Sequence, residues 1–303
     1  MTSGAVCVVG SLNIDTTYRV PALPGRGETV LANNRSSSPG GKGANQAVAA
    51  ATLGSRVRFI GAVGPDDNAE LGLAALASRG IDTTGVRRFS EGTPTGTAIV
   101  VVGDDGENLI IVDPAANGAL EPAWVSQALG DCSQEVVLAQ LEVPVPALLA
   151  AAQAQPALLV LNPAPVHDPA ALAPLLPHVD ILVPNRAELG QLAGRPAPTT
   201  LEEVSDCASA LDFRGTLVVT LGSDGAVIVA PDGAVVEHVP APRVTASDTS
   251  GAGDAFCGVL AHELARPGSE LPEAVRRAVA LASTSTQHAG AQVPPTFGVE
   301  APA

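Results

Sequence analysis

Asp248-Thr-Ser-Gly-Ala-Gly-Asp-Ala-Phe256 places three small residues directly before a carboxylate, where a loop turns into the amphipathic run of residues 252–266. Small residues let backbone N–H groups at a helix N-terminus close on an anion, and Asp254 then stands beside whatever binds there. That arrangement suits phosphoryl transfer. It equally describes a glycine-rich turn followed by an acidic first helical turn, which the macrodipole favours anyway.

A second segment, Gly40-Gly-Lys-Gly-Ala-Asn-Gln46, contains Lys42, the only lysine in the chain against fifteen arginines. A composition that avoids lysine this thoroughly would fill an ordinary surface position with arginine, so this position needs a compact ammonium that a guanidinium fork cannot replace. Gly41 and Gly43 on either side allow the backbone to approach a ligand closely.

Short apolar runs at residues 6–9, 57–62, 136–139, 158–161, 181–183 and 217–221 lack alternation, as strands buried on both faces do. Between them lie helical patterns at residues 44–53, 68–79 and 145–154, the first two followed by Gly54 and Gly80 where a C-terminal cap belongs. The alternation predicts one α/β domain over residues 1–303, with a mostly parallel central sheet between two helical layers. Ligands of such sheets bind beyond the carboxyl ends of the strands, where Asn13, Glu142, Asn162, Asn185 and Gly222 fall. Residues 28–32, and the pair 97–102 and 108–112 joined by Asp104-Asp-Gly-Glu107, read instead as a small separate sheet. The hairpin is apolar on both faces, so something has to cover each side.

At 303 residues and 46% hydrophobic content the chain can bury a large core, and its net charge of −15 excludes nucleic acid and anionic membranes as partners. Cys7, Cys132, Cys207 and Cys257 are scattered, which predicts buried, reduced thiols, and the five histidines lack metal-ligand spacing. No basic leader or bilayer-length apolar stretch is present, so cytoplasm is the expected location. No strand is followed by GxGxxG with an acidic residue about twenty positions on, which argues against a dinucleotide-dependent oxidoreductase. Gly43 follows Lys42 where a P-loop requires Ser or Thr.

Ten segments in order resemble the ribokinase family of sugar kinases, the phosphofructokinase-B-type carbohydrate kinases. They are Gly10-Ser-Leu-Asn-Ile-Asp15, Gly27-Glu-Thr-Val30, residues 40–48, Asp105-Gly-Glu-Asn108, Gln140-Leu-Glu142, Leu161-Asn-Pro-Ala-Pro165, Pro184-Asn185 with Glu188, Thr220-Leu-Gly-Ser223, residues 248–254 and Gly290-Ala-Gln292. The resemblance implies a three-layer sandwich with a small β-sheet lid, its strands drawn from about residues 13–37 and 93–118. One lid face would close over the sugar and the other would pack on the lid of a second subunit, making a homodimer. Residues Asn13, Asp15, Gly41, Lys42, Gly43, Asn45 and Glu142 would form the sugar site. Asp254 would take the proton from the sugar's 5-hydroxyl as it attacks the γ-phosphate of ATP, and the N–H groups of Gly251, Ala252 and Gly253 would hold the developing charge. A carboxylate at a helix N-terminus is a weak base, which suffices because positioning and charge stabilisation dominate phosphoryl transfer.

The resemblance further assigns Asn185, Glu188, Thr220, Gly222, Ser223, Gly225 and Gly253 to the nucleotide and its Mg²⁺. By themselves these residues read as a capped helix and a strand ending in a turn. Asp248, Ser250, Ser285, His288 and Gly290 match a site for K⁺ as monovalent activator. Val293-Pro294-Pro295 stands where the family often has a serine ligand, with Thr296 the nearby hydroxyl, and the chain's end at Ala303 leaves the family's final helix short or absent. Nucleoside kinases of the family stack the base on aromatic rings of the lid, whereas residues 97–112 have none and Tyr18 is the one nearby ring. D-ribose is therefore the expected substrate, with another furanose sugar or a nucleoside as the alternative. A sugar sensor without activity is disfavoured because it would not need Asp254.

Overall fold

The run at residues 5–9 lacks alternation because both of its faces are covered. In the computed structural model, which describes residues 4–298, Val6 and Val8 belong to one buried cluster and Cys7 and Val9 to the other. The chain runs β1 (Ala5–Val9), β2 (Asn13–Val20), β3 (Asn34–Gly40), α1 (Lys42–Thr52), β4 (Arg56–Ile60), β5 (Ala62–Val63), α2 (Asp67–Ser78), β6 (Arg87–Arg88), β7 (Gly96–Gly103) and β8 (Asn108–Asp113). It continues through α3 (Ala115–Gly118), α4 (Pro122–Leu129), β9 (Val136–Gln140), α5 (Val145–Gln153), β10 (Leu158–Asn162), β11 (Ile181–Leu182), α6 (Arg186–Ala193) and α7 (Leu201–Ser209). It ends with β12 (Thr216–Thr220), β13 (Ala226–Val229), β14 (Val235–Val239), α8 (Ala252–Leu264) and α9 (Leu271–Ser285).

Eight strands form the central sheet in the order β14-β13-β12-β11-β10-β9-β1-β4. It is parallel from β12 to β4, and all six apolar runs expected to build it do so. Residues of α1, α2, α8 and α9 join Val6 and Val8 in the core on one face, and residues of α4, α5, α6 and α7 join Cys7 and Val9 on the other. This is the three-layer α/β sandwich that the alternation predicts. The antiparallel edge, β12 with β13 and β13 with β14, is not among the expected features. β13, Ala-Val-Ile-Val, is as apolar and as buried as the parallel runs, whereas β14 is largely exposed and mixed in character, so only β14 lacks their signal.

A second sheet has the order β3-β2-β7-β8 and stands at the carboxyl end of β1, where the chain passes from Val9 to Asn13. Its strands lie in or beside the expected segments, but residues 28–32 are not one of them. They belong to a connection that opens with a turn, the Glu28 N–H donating to the Gly25 carbonyl at 3.1 Å. The partner of β2 is instead β3, Asn-Arg-Ser-Ser-Ser-Pro-Gly, whose polar sequence offers no hydrophobic alternation to read. The hairpin β7–β8 pairs as expected, Val100 opposite Ile110 and Ile99 opposite Ile111. Within one chain neither face is fully covered: Ile110 and Ile111, on opposite faces, are each 57% exposed. The expectation about the final helix concerns a terminus whose residues 299–303 lie outside those described.

Candidate functional site

The strand ends converge on a cleft of about 740 Å³ lined by Lys42, Asn185, Glu188, Thr220, Gly251 and Asp254, among others. Asp254 sits in the first turn of α8 and is buried. Asn45 donates from Nδ2 to its Oδ2 at 3.0 Å, and Gln46 donates from Nε2 to its Oδ1 at 3.1 Å. Gln46 is itself fixed from three sides: it also donates to Asn162 Oδ1 at 3.2 Å, and its Oε1 accepts from Gln140 Nε2 at 2.6 Å. Asn162 in turn donates to the Val183 carbonyl at 2.9 Å. A connected buried network of this kind holds a side chain in one geometry. Two motifs far apart in sequence thereby meet at one carboxylate.

Gly251, the residue before α8, has φ 72°, and a Cβ there would lie 2.1 Å from the Ala291 carbonyl oxygen, so the turn admits only glycine. A Cβ at Gly253 would meet nothing, since that position faces open space. The three N–H groups expected to cradle an anion are not equivalent. That of Ala252 leans to the Thr249 carbonyl at 3.3 Å, whereas that of Gly253 has no such partner among the described residues.

Lys42 opens α1 above this turn. The negative charge of Asp254, with Glu142 and Glu188, raises its ammonium above the ordinary value against the opposing effect of burial, so it is a cation throughout the neutral range. Glu142 acts on the backbone: its Oε2 accepts from the Lys42 N–H at 2.9 Å and from the Ser11 hydroxyl, pinning the Gly40–Gly43 loop.

Asn13 and Asp15 lie on β2 and project from one of its faces, with Gly40 and Ser38 opposite them on β3. Asp15 Oδ1 is buried without a partner, as is Asn45 Oδ1. Burial, reinforced by the charges of Glu142 and Asp254, pushes the Asp15 carboxyl up to about 6. Unpartnered oxygens in a polar recess fit a ligand that brings hydroxyl donors.

On the far side, Asn185 and Glu188 form a reciprocal capping box at the start of α6, with bonds of 2.8 and 2.9 Å. The Asn185 side chain is thus a cap, and Glu188, which lines the cleft, uses one carboxylate oxygen in the box. Burial raises its carboxyl, opposed by the Asn185 N–H and by Lys42. Asn185 also bridges Thr220, after which Gly222, Ser223 and Gly225 turn the chain beside the cleft. Arg186 ties this turn down, donating to Asp224 at 2.8 Å and to the carbonyls of Pro198 and Thr199 at 3.0 Å.

The Asp248 side chain accepts from the Ser250 N–H at 2.9 Å and the Gly290 N–H at 2.8 Å. Burial would raise its carboxyl, but these two N–H groups and the charge of Arg19 hold it below the ordinary value. The Thr286 carbonyl accepts from the Asp248 N–H at 3.0 Å, and the Ser285 carbonyl from the His288 N–H at 3.0 Å. The residues expected at a monovalent-cation site therefore share one loop cluster rich in carbonyl and carboxylate oxygens, donors that suit a hard cation. Among the described residues no group of three His, Cys, Asp or Glu side chains is placed to hold a metal alone.

Ser11, Gln46, Asn117, Gln140 and Arg186 shape the site without being among the residues expected there. Ser11, Gln46 and Gln140 lie inside the family-like segments and are buried, and a polar residue that must be buried for its motif to work is the available signal.

Residues 4–296 match the profile of the pfkB family carbohydrate kinases. The chain is 36% identical over 293 residues to a deoxyribokinase of Salmonella typhi, covering 95% of this chain and 94% of the relative. It is 36% identical over 291 residues to a ribokinase of Haemophilus influenzae, covering 94% and 93%. The structure of Arabidopsis thaliana ribokinase complexed with ribose and ATP superposes with a TM-score of 0.83 at 31% identity, covering 97% of this chain and 96% of that one. With the motifs, the fold and the cleft in agreement, the chain belongs to the pfkB family of carbohydrate kinases.

Proposed function

We propose that the protein transfers the γ-phosphoryl group of ATP to the 5-hydroxyl of D-ribose, giving D-ribose 5-phosphate and ADP. The observation that carries this reading is the position of Asp254: one buried carboxylate, held by Asn45 and Gln46, between the polar recess of Asn13 and Asp15 and the open Gly253 turn. Ribose hydroxyls donate to Asp15 and Asn45, which leaves the 5-hydroxyl at Asp254. Its proton passes to Asp254 as the sugar oxygen forms a bond to the γ-phosphorus and the bond to the β-phosphate oxygen breaks. Lys42 and the Gly253 N–H face the charge that accumulates on the transferred group.

Mg²⁺ bound with ATP would neutralise phosphate charge, and Glu188 is the carboxylate placed to hold it; a single protein carboxylate fits an ion that keeps its waters and binds chiefly through phosphates. K⁺ would sit among Asp248, Ser250, Ser285, His288 and Gly290. A homodimer forms through the lid, covering the face that carries Ile99, Val101, Leu109 and Ile111, because exposed apolar strands are seldom left bare.

A second reading, 2-deoxy-D-ribose as the preferred sugar, is supported by the Salmonella relative, whose identity equals that of the Haemophilus ribokinase. A coupled kinase assay over D-ribose, 2-deoxy-D-ribose, other pentoses, fructose and nucleosides tests both, with the phosphorylated carbon identified by phosphorus NMR. D-ribose should give the highest kcat/KM; turnover confined to nucleosides would overturn the proposal.

A further inference from the structure

The Asn13 side chain has two possible orientations, and they offer a ligand opposite hydrogen-bonding characters: a donor if Nδ2 faces the recess, an acceptor if Oδ1 does. Its orientation is decided from outside the recess. Asn117, in the short α3 at the foot of β8, is 1% exposed and clasps the backbone of Leu12 on both sides. Its Oδ1 accepts from the Leu12 N–H at 3.0 Å and its Nδ2 donates to the Leu12 carbonyl at 3.1 Å. Backbone groups have fixed polarity, so this pairing leaves Asn117 one orientation only. The second hydrogen of Asn117 Nδ2 then goes to Asn13 Oδ1 at 2.8 Å. With Oδ1 turned toward Asn117, the Nδ2 end of Asn13 is the one left to present.

The contact is also closed sterically from the lid. Gly96 on β7 pairs with Asn13 on β2, and a Cβ there would lie 2.2 Å from Asn117 Nδ2 and 2.3 Å from Asn13 Oδ1. No alternative side chain fits between the two amides.

We infer that Asn117 is a positioning residue for sugar recognition: it relays the polarity of the Leu12 backbone to Asn13 and makes Asn13 an obligate donor beside the acceptor Asp15. The recess therefore takes two adjacent hydroxyls of unlike role, one accepting from Asn13 and the other donating to Asp15. This rests on the sugar-kinase reading above and adds to it the direction of each hydrogen bond and the residue that sets it.

The test is a double-mutant cycle on KM for D-ribose with ATP saturating, using Asn13→Ala, Asn117→Asp and the pair. Asn117→Asp keeps the shape but gives Asn13 an acceptor to face, so Asn13 turns its Nδ2 away from the sugar. Ribose KM should rise at least about 10-fold with KM for ATP within about twofold, the usual cost of an unmatched polar group being of that order. Because Asn117 acts through Asn13, the double variant should match Asn13→Ala alone. Unchanged ribose KM in Asn117→Asp, or penalties that multiply, would overturn the inference while leaving the kinase assignment intact. A second measurement needs no variant to fold: fluorine accepts a hydrogen bond but cannot donate one. Of the two monofluorinated riboses with one ring hydroxyl of the vicinal pair replaced, wild type should bind one within a few-fold of ribose and lose at least about 10-fold on the other. Equal losses, or none, refute the donor–acceptor assignment. A wild type that phosphorylates no pentose overturns the proposed function and this inference together.

Discussion

The carboxylate of Asp254 accepts from two amides, so neither oxygen can be exchanged for an NH₂ group without setting donor against donor. Asp254→Asn therefore removes the proposed proton acceptor and disturbs its setting together, and kcat should fall at least about 10²-fold, the usual scale of general-base contributions. Retention of more than a tenth of wild-type turnover would take Asp254 out of that role. Asp15 yields a pH prediction. Its carboxyl is pushed up to about 6, above the ordinary 3.8, so the ligand-free folded protein holds a proton there that the unfolded chain releases. This stabilising contribution is complete below about 4 and is lost as pH rises through 6. In the proposed sugar site the ionised Asp15 is the acceptor, so KM for the sugar should climb as pH falls below about 6 and level above it. Asp15→Asn should raise KM and flatten that climb; a climb that survives in the variant would assign the titration to another group.

At the scale of elements, α8 depends on a turn that is built from two distant loops. Asp248 bridges the 248–250 loop to the turn after α9 through the Ser250 and Gly290 N–H groups, and Gly251 is pressed on Ala291. A cation among these carbonyls would brace the turn that carries Gly253 and Asp254. Activity measured in K⁺ should exceed that in Na⁺ or in a bulky organic cation, and Asp248→Ala should remove the difference. Equal rates in all three cations would mean that the bridge is structural only. The capping box of α6 shows the other side of the same logic: Asn185 and Glu188 satisfy each other's backbone, contributing about 1 kcal/mol to the helix end, while positioning one acidic group at the cleft.

For the molecule as a whole, the small sheet, proposed above as a lid, is the part left bare within one chain. Residue alternation puts Ile110 on the face shared with Asp15 and Ala98, and Ile111 on the opposite face with Ile99. Both are 57% exposed in the single chain. Ile111→Glu should shift sedimentation at micromolar concentration toward monomer, whereas Ile110→Glu should raise sugar KM and leave assembly unchanged. A wild type that sediments as monomer with full activity would show that the lid works without a partner lid.

Much of this molecule is legible in its chain. The buried strands are readable because a strand covered on both faces must be apolar throughout, and that constraint is local. Lys42 stands out against an arginine-rich composition, and Asp254 stands at a glycine-rich helix start, so the two anchors of the cleft carry their own signals. The partnerships do not. Strand β3 is polar and owes its conformation to pairing with β2; Asn117 meets Leu12 and Asn13 across more than a hundred residues; Gln46 and Asn45 meet Asp254 across more than two hundred. An amide has no preferred partner until the backbone presents one, because its two ends serve equally well in water. The sequence by itself determined which chemical groups the site holds, through residue type and local pattern. The tertiary structure alone decided which way each of them points, since hydrogen-bond polarity is set by groups that only folding brings together.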